Sequence, residues 1–273
     1  MRLFDGYMDY QDSLAALRLF SVFNPKQDVQ FCGFKYNTES LGLQKLRKQY
    51  KYPHYTSDKN DFRFLVSLMI WTFDNLIGNG MCLPPSQMNS IFILSATKNL
   101  GIQSNCFMYA VVLNELCLSE GFFSRMVRCM PIDIMYQDCH CVTEVYCPTL
   151  QKWVVLDAAN RAYYVGKDMI PLNLFEIRQG IIEGKALYVP MMERERSQLL
   201  FQYLTKNMIR FETDQVSRFD AENWTGERML LHFQSANFPI SDKTVLLSNN
   251  RSIQHVHTSC PSLFWADPVS NLH

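Results

Sequence analysis

The most constraining feature of this sequence is a change of texture at Gly121. Upstream, apolar residues recur at helical spacing. "QDSLAALRLF" opens the series, and "ESLGLQKLRKQY" follows with Leu43, Leu46 and Tyr50 in phase. "SDKNDFRFLVSLMIWTFDNLIGNG" predicts a helix with Phe62, Leu65, Met69, Phe73 and Ile77 on one stripe, capped by Ser57 or Asp58 and closed at Gly78. "PPSQMNSIFILSATKN" predicts another, opening on prolines and ending before Gly101. Downstream, "FFSRMVRCM", "CHCVTEVYC" and "KWVVLDA" are short, β-branched and aromatic, with "PTLQ" as the turn between the last two. Helices followed by consecutive antiparallel strands predict an α+β fold, whereas a doubly wound α/β fold would alternate the two. The tail adds a charged helix, "MMERERSQLLFQYLTKNM", and strand-like runs "RMLLHFQ" and "TVLLSNN". The expected organisation is an N-terminal helical extension over 1–60, a core over 61–190, and a C-terminal helix and strands over 191–273 packing on it.

Composition removes several classes of function. The chain of 273 residues is 48% hydrophobic and 19% charged, and no apolar run approaches the ~20 residues a membrane-spanning helix needs. The start "MRLFDGYMDYQDS" carries acidic residues where a secretory signal needs a basic start and an apolar stretch, so a soluble, cytoplasmic protein is expected. Lysine plus arginine balance aspartate plus glutamate at 26 each without a dense basic run, which argues against nucleic acid as a partner and leaves no membrane partner implied. Nine cysteines lack the paired spacing of a secreted disulfide framework, so most are read as reduced thiols. No CxxC occurs. In "DCHC", strand alternation sends Cys139 and Cys141 to the face opposite His140, and "HVH" at 255–257 lacks a third ligand and reads as surface. No metal and no cofactor are expected.

The chemistry concentrates on "QSNCFMYAVVLNELCLSEG". Ser104 and Asn105 are helix-capping types, which puts Cys106 in the first turn of a helix over 106–119. Unpaired N–H groups and the positive end of the helix dipole favour a thiolate there, and the Cys106 N–H can hold an oxyanion. A thiolate nucleophile needs a base that becomes an acid, and His140 lies on a strand near this helix. Asp157, a carboxylate ending an apolar strand, can orient the ring. Hairpin register links the two: with Pro148–Gln151 as a four-residue loop, Cys147 faces Lys152, Val145 faces Val154 and Val142 faces Asp157. His140 then falls diagonally across from Asp157 on the same face. Cys117, Cys129 and Cys147 read as packing thiols, Arg161 and Tyr163 as rim residues, and "ERER" at 193–196 as an exposed helical face.

"NCFMYAVVLNELCLSEGFFSRMVRCMP", "DCHCVTEVYCPTLQKWVVLDAANRAYY" and "EIRQGIIEGK" resemble the transglutaminase-like superfamily, bacterial-type members included, over roughly residues 60–190. The resemblance implies a papain-like core with the cysteine at a helix start packed on an antiparallel sheet. It also implies Cys106 as nucleophile, His140 as general base and acid, and Asp157 as the residue orienting His140. Ser-Asn precedes Cys106 where many members have glycine or an aromatic residue, and Cys141 follows His140 where an aromatic residue is usual shortly after. Candidates for a second oxyanion donor or cleft residue are Gln103, Asn105 and Trp71. The amphipathic setting of Trp71 reads more simply as core.

The expected activity is cysteine-dependent acyl transfer through a thioester acyl-enzyme. The donor would be a small-molecule, peptide or carrier-bound amide or thioester, and the acceptor an amine. Water in place of the amine would make the same triad an amidase, deamidase or protease. A non-enzymatic interaction module on the same fold is the reading from a different class.

Overall fold

A computed structural model describes residues 9–26, 31–58, 60–78, 86–132, 139–226, 228–239 and 253–268. The N-terminal part contains α1 (Tyr10–Leu19), β1 (Lys35–Tyr36), α2 (Leu41–Gln49), α3 (Asp61–Asn75), β2 (Ile77–Gly78), α4 (Ser90–Leu100), β3 (Gln103–Ser104) and α5 (Cys106–Ser119). Then come β4 (Ser124–Met130), β5 (His140–Cys147), β6 (Lys152–Asp157), β7 (Ala162–Tyr163) and α6 (Leu174–Ile182). The chain continues with α7 (Arg194–Lys206), β8 (Arg210–Asp214), β9 (Val216–Ser217), β10 (Arg228–Gln234), β11 (Ile253–Thr258) and α8 (Pro261–Phe264). The fold is α+β.

Seven strands form one sheet in the order β11-β10-β8-β4-β5-β6-β7. Every neighbouring pair is antiparallel except β10 and β11, which run parallel, so the sheet is mixed where an antiparallel one was expected. On one face lies α5, apolar all round because α2, α3 and α4 enclose its outer side. Leu65, Leu68, Val112, Leu113, Leu116, Val145 and Val154 share that core. The other face packs Val127, Val142, Val155 and Phe211 against Leu17 of α1, Ile177 of α6 and Leu204 of α7. The first sixty residues therefore divide between the two faces, with α2 against α5 and α1 against α6 and α7.

Several local expectations shift. The cap of α3 is Asn60, whose side chain accepts from Arg63 N–H at 3.0 Å, rather than Ser57 or Asp58. Leu65 and Met69 face inward as expected, but their companions are Phe64, Leu68 and Thr72. The helix stops at Asn75, and Ile77, 48% exposed, instead pairs in parallel with Gln103. The α4 cap is Asn89, and α4 ends on a left-handed Gly101 at φ 64°. The prolines at 84 and 85 and the run "TVLLSNN" lie outside the described residues. His255 and His257 sit on β11, half-buried, and stack on His232 with ring centroids 5.0 and 4.7 Å away, in place of a surface location. Burial holds His232 down at about 4 despite its neighbour Glu212. Among the described residues no group of three or more His, Cys, Asp or Glu is arranged to hold a metal ion, and no helix is long and apolar enough to cross a membrane.

The hairpin that carries the candidate residues has the register read from the sequence: Cys147 faces Lys152, Val145 faces Val154 and Thr143 faces Leu156. Its turn is one 3-10 turn, Pro148–Leu150, closed by Gln151 in the left-handed region at φ 49°.

Candidate active site

Cys106 is the first residue of α5. Asn105 caps the helix, its side-chain oxygen accepting from Met108 N–H at 3.1 Å, so the thiol stands at the positive end of a fourteen-residue helix. The other end of α5 is fixed by Ser119, whose hydroxyl lies 2.7 Å from that of Tyr52. Buried apolar packing between the two makes the helix start a rigid platform.

Each ionisable member has a specific partner. His140 Nε2 lies 2.7 Å from Asp157 Oδ2, and both side chains are buried. The same Asp157 oxygen accepts from Asn160 Nδ2 and from the Tyr164 hydroxyl, each at 2.9 Å, while Oδ1 accepts from Asn160 N–H at 3.2 Å. Burial alone would raise the Asp157 carboxyl, but the charge and hydrogen bond of His140, with those of Asn160 and Tyr164, hold it below the usual carboxylate range. Burial also opposes a charged His140 ring; the Asp157 carboxylate and the Cys106 thiol outweigh it and push the ring well above its ordinary value. With Nε2 committed to Asp157, Nδ1 is the ring nitrogen left for the thiol.

The Cys106 thiol is half-buried and points its Sγ at the Cys139 carbonyl, 3.8 Å away. Hydrogen bonding from Cys141 is the largest influence on it; that contact, joined by the hydrogen bond and charge of His140, overrides burial and holds the thiol well below the ordinary cysteine value. Both shifts act in the same sense, favouring a thiolate beside an imidazolium over the neutral pair.

Strand alternation does send Cys141 and His140 to opposite faces, the first into the core under α5 and the second towards Asp157 and Tyr164. The expected separation of the "DCHC" residues therefore holds for Cys141 and His140, while Cys106, at the start of α5, directs its thiol at the backbone carbonyl of Cys139 just before β5 begins.

The other candidates separate from this cluster. Trp71 donates Nε1–H to the Lys51 carbonyl at 3.0 Å and packs edge-on to Tyr52, a structural arrangement. Gln103 is exposed on β3, and the Asn105 side chain is occupied as a cap. Arg161 adopts φ 53° with its guanidinium 5.7 Å from the Phe73 ring centroid, and Tyr163 packs edge-on to Phe62.

Three contributors escaped the sequence reading. Tyr203 of α7 sets its ring edge-on to His140 at 5.4 Å and donates its hydroxyl to the Cys139 carbonyl at 3.5 Å. Asn160 and Tyr164 complete the shell of Asp157. Only Asn160 left a local signal, three residues past the carboxylate in a turn, where Asp and Asn commonly bond the backbone.

The chain matches no protein-family model and no curated protein. Among solved structures it is similar to a chain from Cytophaga hutchinsonii described as a "Putative Cysteine Protease", with 17% identity and a TM-score of 0.34 over 63% of this chain. The match spans 56% of that protein's length, little more than half. So distant a likeness transfers neither fold nor activity, and the reading of the site rests on its own geometry.

Proposed function

We propose that this protein is a cysteine-dependent acyl-transfer enzyme. The observation that carries the reading is the Cys106 thiol at a capped helix start, 3.8 Å from the carbonyl of Cys139, next in sequence to a buried His140 whose Nε2 is held by Asp157. The resemblance of the two segments that carry these residues to the transglutaminase-like superfamily supports it.

In this reaction the Cys106 thiolate attacks the carbonyl carbon of an amide or thioester. The oxygen that becomes negative sits by the Cys106 N–H, a first-turn donor with no partner inside its own helix. His140 gives the proton on its thiol-facing nitrogen to the leaving amine or thiol, and the acyl group stays on Sγ as a thioester. An incoming nucleophile then loses its proton to the neutral ring, attacks the thioester and restores the thiolate. Asp157 keeps its charge throughout, and its bond to Nε2 fixes the tautomer and orients the ring. An amine acceptor gives a new amide, and water gives hydrolysis. The proposed donors are small-molecule, peptide or carrier-bound acyl groups.

Intact-protein mass spectrometry tests the proposal. Wild type and Cys106→Ala are incubated with a panel of peptide amides and acyl thioesters, with and without a primary amine. An acyl mass on wild type alone, discharged to an amide product by the amine, is the expected outcome. Discharge at the same rate with and without amine would reassign the protein as a hydrolase. Iodoacetamide supplies a substrate-independent check: Cys106 should react at pH 7 well ahead of exposed Cys32. Equal rates would remove the nucleophile.

A further inference from the structure

The Cys139 carbonyl is shared by two side chains from distant parts of the chain. Cys106 Sγ lies 3.8 Å from it, and the Tyr203 hydroxyl donates to it at 3.5 Å. Tyr203 also sets its ring edge-on to His140, with the centroids 5.4 Å apart. It arrives on α7, whose Leu200 and Leu204 are buried in the core of that side of the sheet. One turn earlier, Phe201 lies against Tyr164, which donates to Asp157. Helix α7 therefore touches His140 directly and Asp157 through one intermediary. The acyl-transfer steps given above use neither contact.

A thiol that gives its proton to a carbonyl is stabilised in its protonated form, and the thiolate left behind faces the negative end of the same dipole. The Cys139 carbonyl thus works against the nucleophile. A hydroxyl bonded to that oxygen takes up one of its lone pairs and draws charge away from the sulfur. We propose that Tyr203 is a positioning residue for the nucleophile: its hydroxyl engages the Cys139 carbonyl so that Cys106 is released as a thiolate, and its ring holds His140 against Asp157. The inference rests on the reading of Cys106 as the nucleophile, and it gives the C-terminal segment a place in the site.

The other titratable and charged groups around Cys106 come from several elements. His140 and Cys141 lie on β5, Cys139 just before it, Asp157 on β6, and Arg128 and Cys129 on β4. Lys206, also on α7, has its Nζ 5.3 Å from the Tyr203 ring centroid. Tyr203→Phe changes none of these and keeps a ring beside His140, so it removes the hydroxyl alone.

The test follows the rate at which iodoacetamide alkylates Cys106, read by peptide mapping across a pH series, in wild type, Tyr203→Phe and Tyr203→Leu. Tyr203→Phe should raise the pH of half-maximal labelling by about half to one unit, the size expected for one lost hydrogen bond. Its plateau rate at high pH should match wild type, because access to the sulfur is unchanged. Tyr203→Leu, which also takes the ring from His140, should raise the half-maximal pH at least as far. Coincident profiles for wild type and Tyr203→Phe, or a downward shift, overturn the proposal. A proportional loss at every pH overturns it as well, since that would mark Tyr203 as a structural residue governing access. Tyr203→Phe decides the matter even if Tyr203→Leu does not fold. A wild-type Cys106 that labels no faster at pH 7 than exposed Cys32 would instead sink the underlying nucleophile reading, so the two failures are distinct.

Discussion

Helix α5 carries two cysteines in opposite conditions. Cys106 opens the helix with its sulfur 3.8 Å from the Cys139 carbonyl, and the influence of Cys141 and His140 holds its thiol well below the ordinary value. Cys117, three turns further on, is fully enclosed by apolar neighbours; burial, with the nearby charge of Glu120, drives it far above that value. One residue type on one helix thus spans the range from a depressed to a strongly raised thiol pKa. Helical position sets the sign of the dipole contribution, and the companions brought by other elements set the size of the shift.

The contrast can be broken most severely at Cys106 itself. Cys106→Ser should lower acyl transfer about a thousandfold or more and abolish the iodoacetamide-labelled species seen at pH 7 by intact mass. Next in size is Asp157→Ala, which leaves His140, Asn160 and Tyr164 without their shared acceptor. Acyl transfer should fall by roughly a thousandfold and unfolding stability by about 3–5 kcal/mol, read from denaturant titrations.

A pH series sharpens the comparison without mutation. Cys106 labelling should reach its half-maximal rate well below the pH at which an ordinary cysteine does, while Cys117 should label only after unfolding. Stability should carry the same signature. The depressed Cys106 and Asp157 add stability that is present above their unfolded values and lost as pH falls through their folded ones. The raised His140 adds stability that is present below its unfolded value and lost as pH rises through its folded one. Denaturant midpoints should therefore decline on both sides of a plateau that includes neutral pH, and Cys106→Ala should flatten much of the change. Smaller still is Cys117→Ala, expected to cost about 1–2 kcal/mol for the lost packing while the Cys106 labelling profile stays in place. Asn105→Ala should remove about 1 kcal/mol with the cap, and raise the half-maximal pH of Cys106 slightly as the helix start loosens.

Much of this arrangement is written locally. The cap of α5 needs only Asn105 and the apolar run after Cys106, and the approach of His140 to Asp157 needs only the parity of a short turn. What depends on distant chain was not legible. Nothing near residue 140 announces Tyr203, which arrives on α7, and no local pattern tells β8 to insert between β4 and β10 or β11 to run parallel to β10. The face of Cys141 was read correctly from alternation, which places it in the core beneath α5. The α3 stripe was blurred because apolar residues fill two adjacent helical faces, and packing against α5 selects the one carrying Phe64 and Leu68.

The insertion of β8 has a consequence for how the protein is made. By the time Asp157 has been synthesised, β4, β5 and β6 can pair and place His140 beside its carboxylate. Among the described residues, the opposite edge of β4 is paired by β8, through residues 210–212. A growing chain on the ribosome therefore carries an assembled hairpin next to an open strand edge while about fifty further residues are added, a span of several seconds at ordinary elongation rates. Open edges recruit other strands. The tail that seals this one thus acts on yield during synthesis, and variants that weaken β8 should show themselves first as nascent chains captured by chaperones or lost to inclusion bodies.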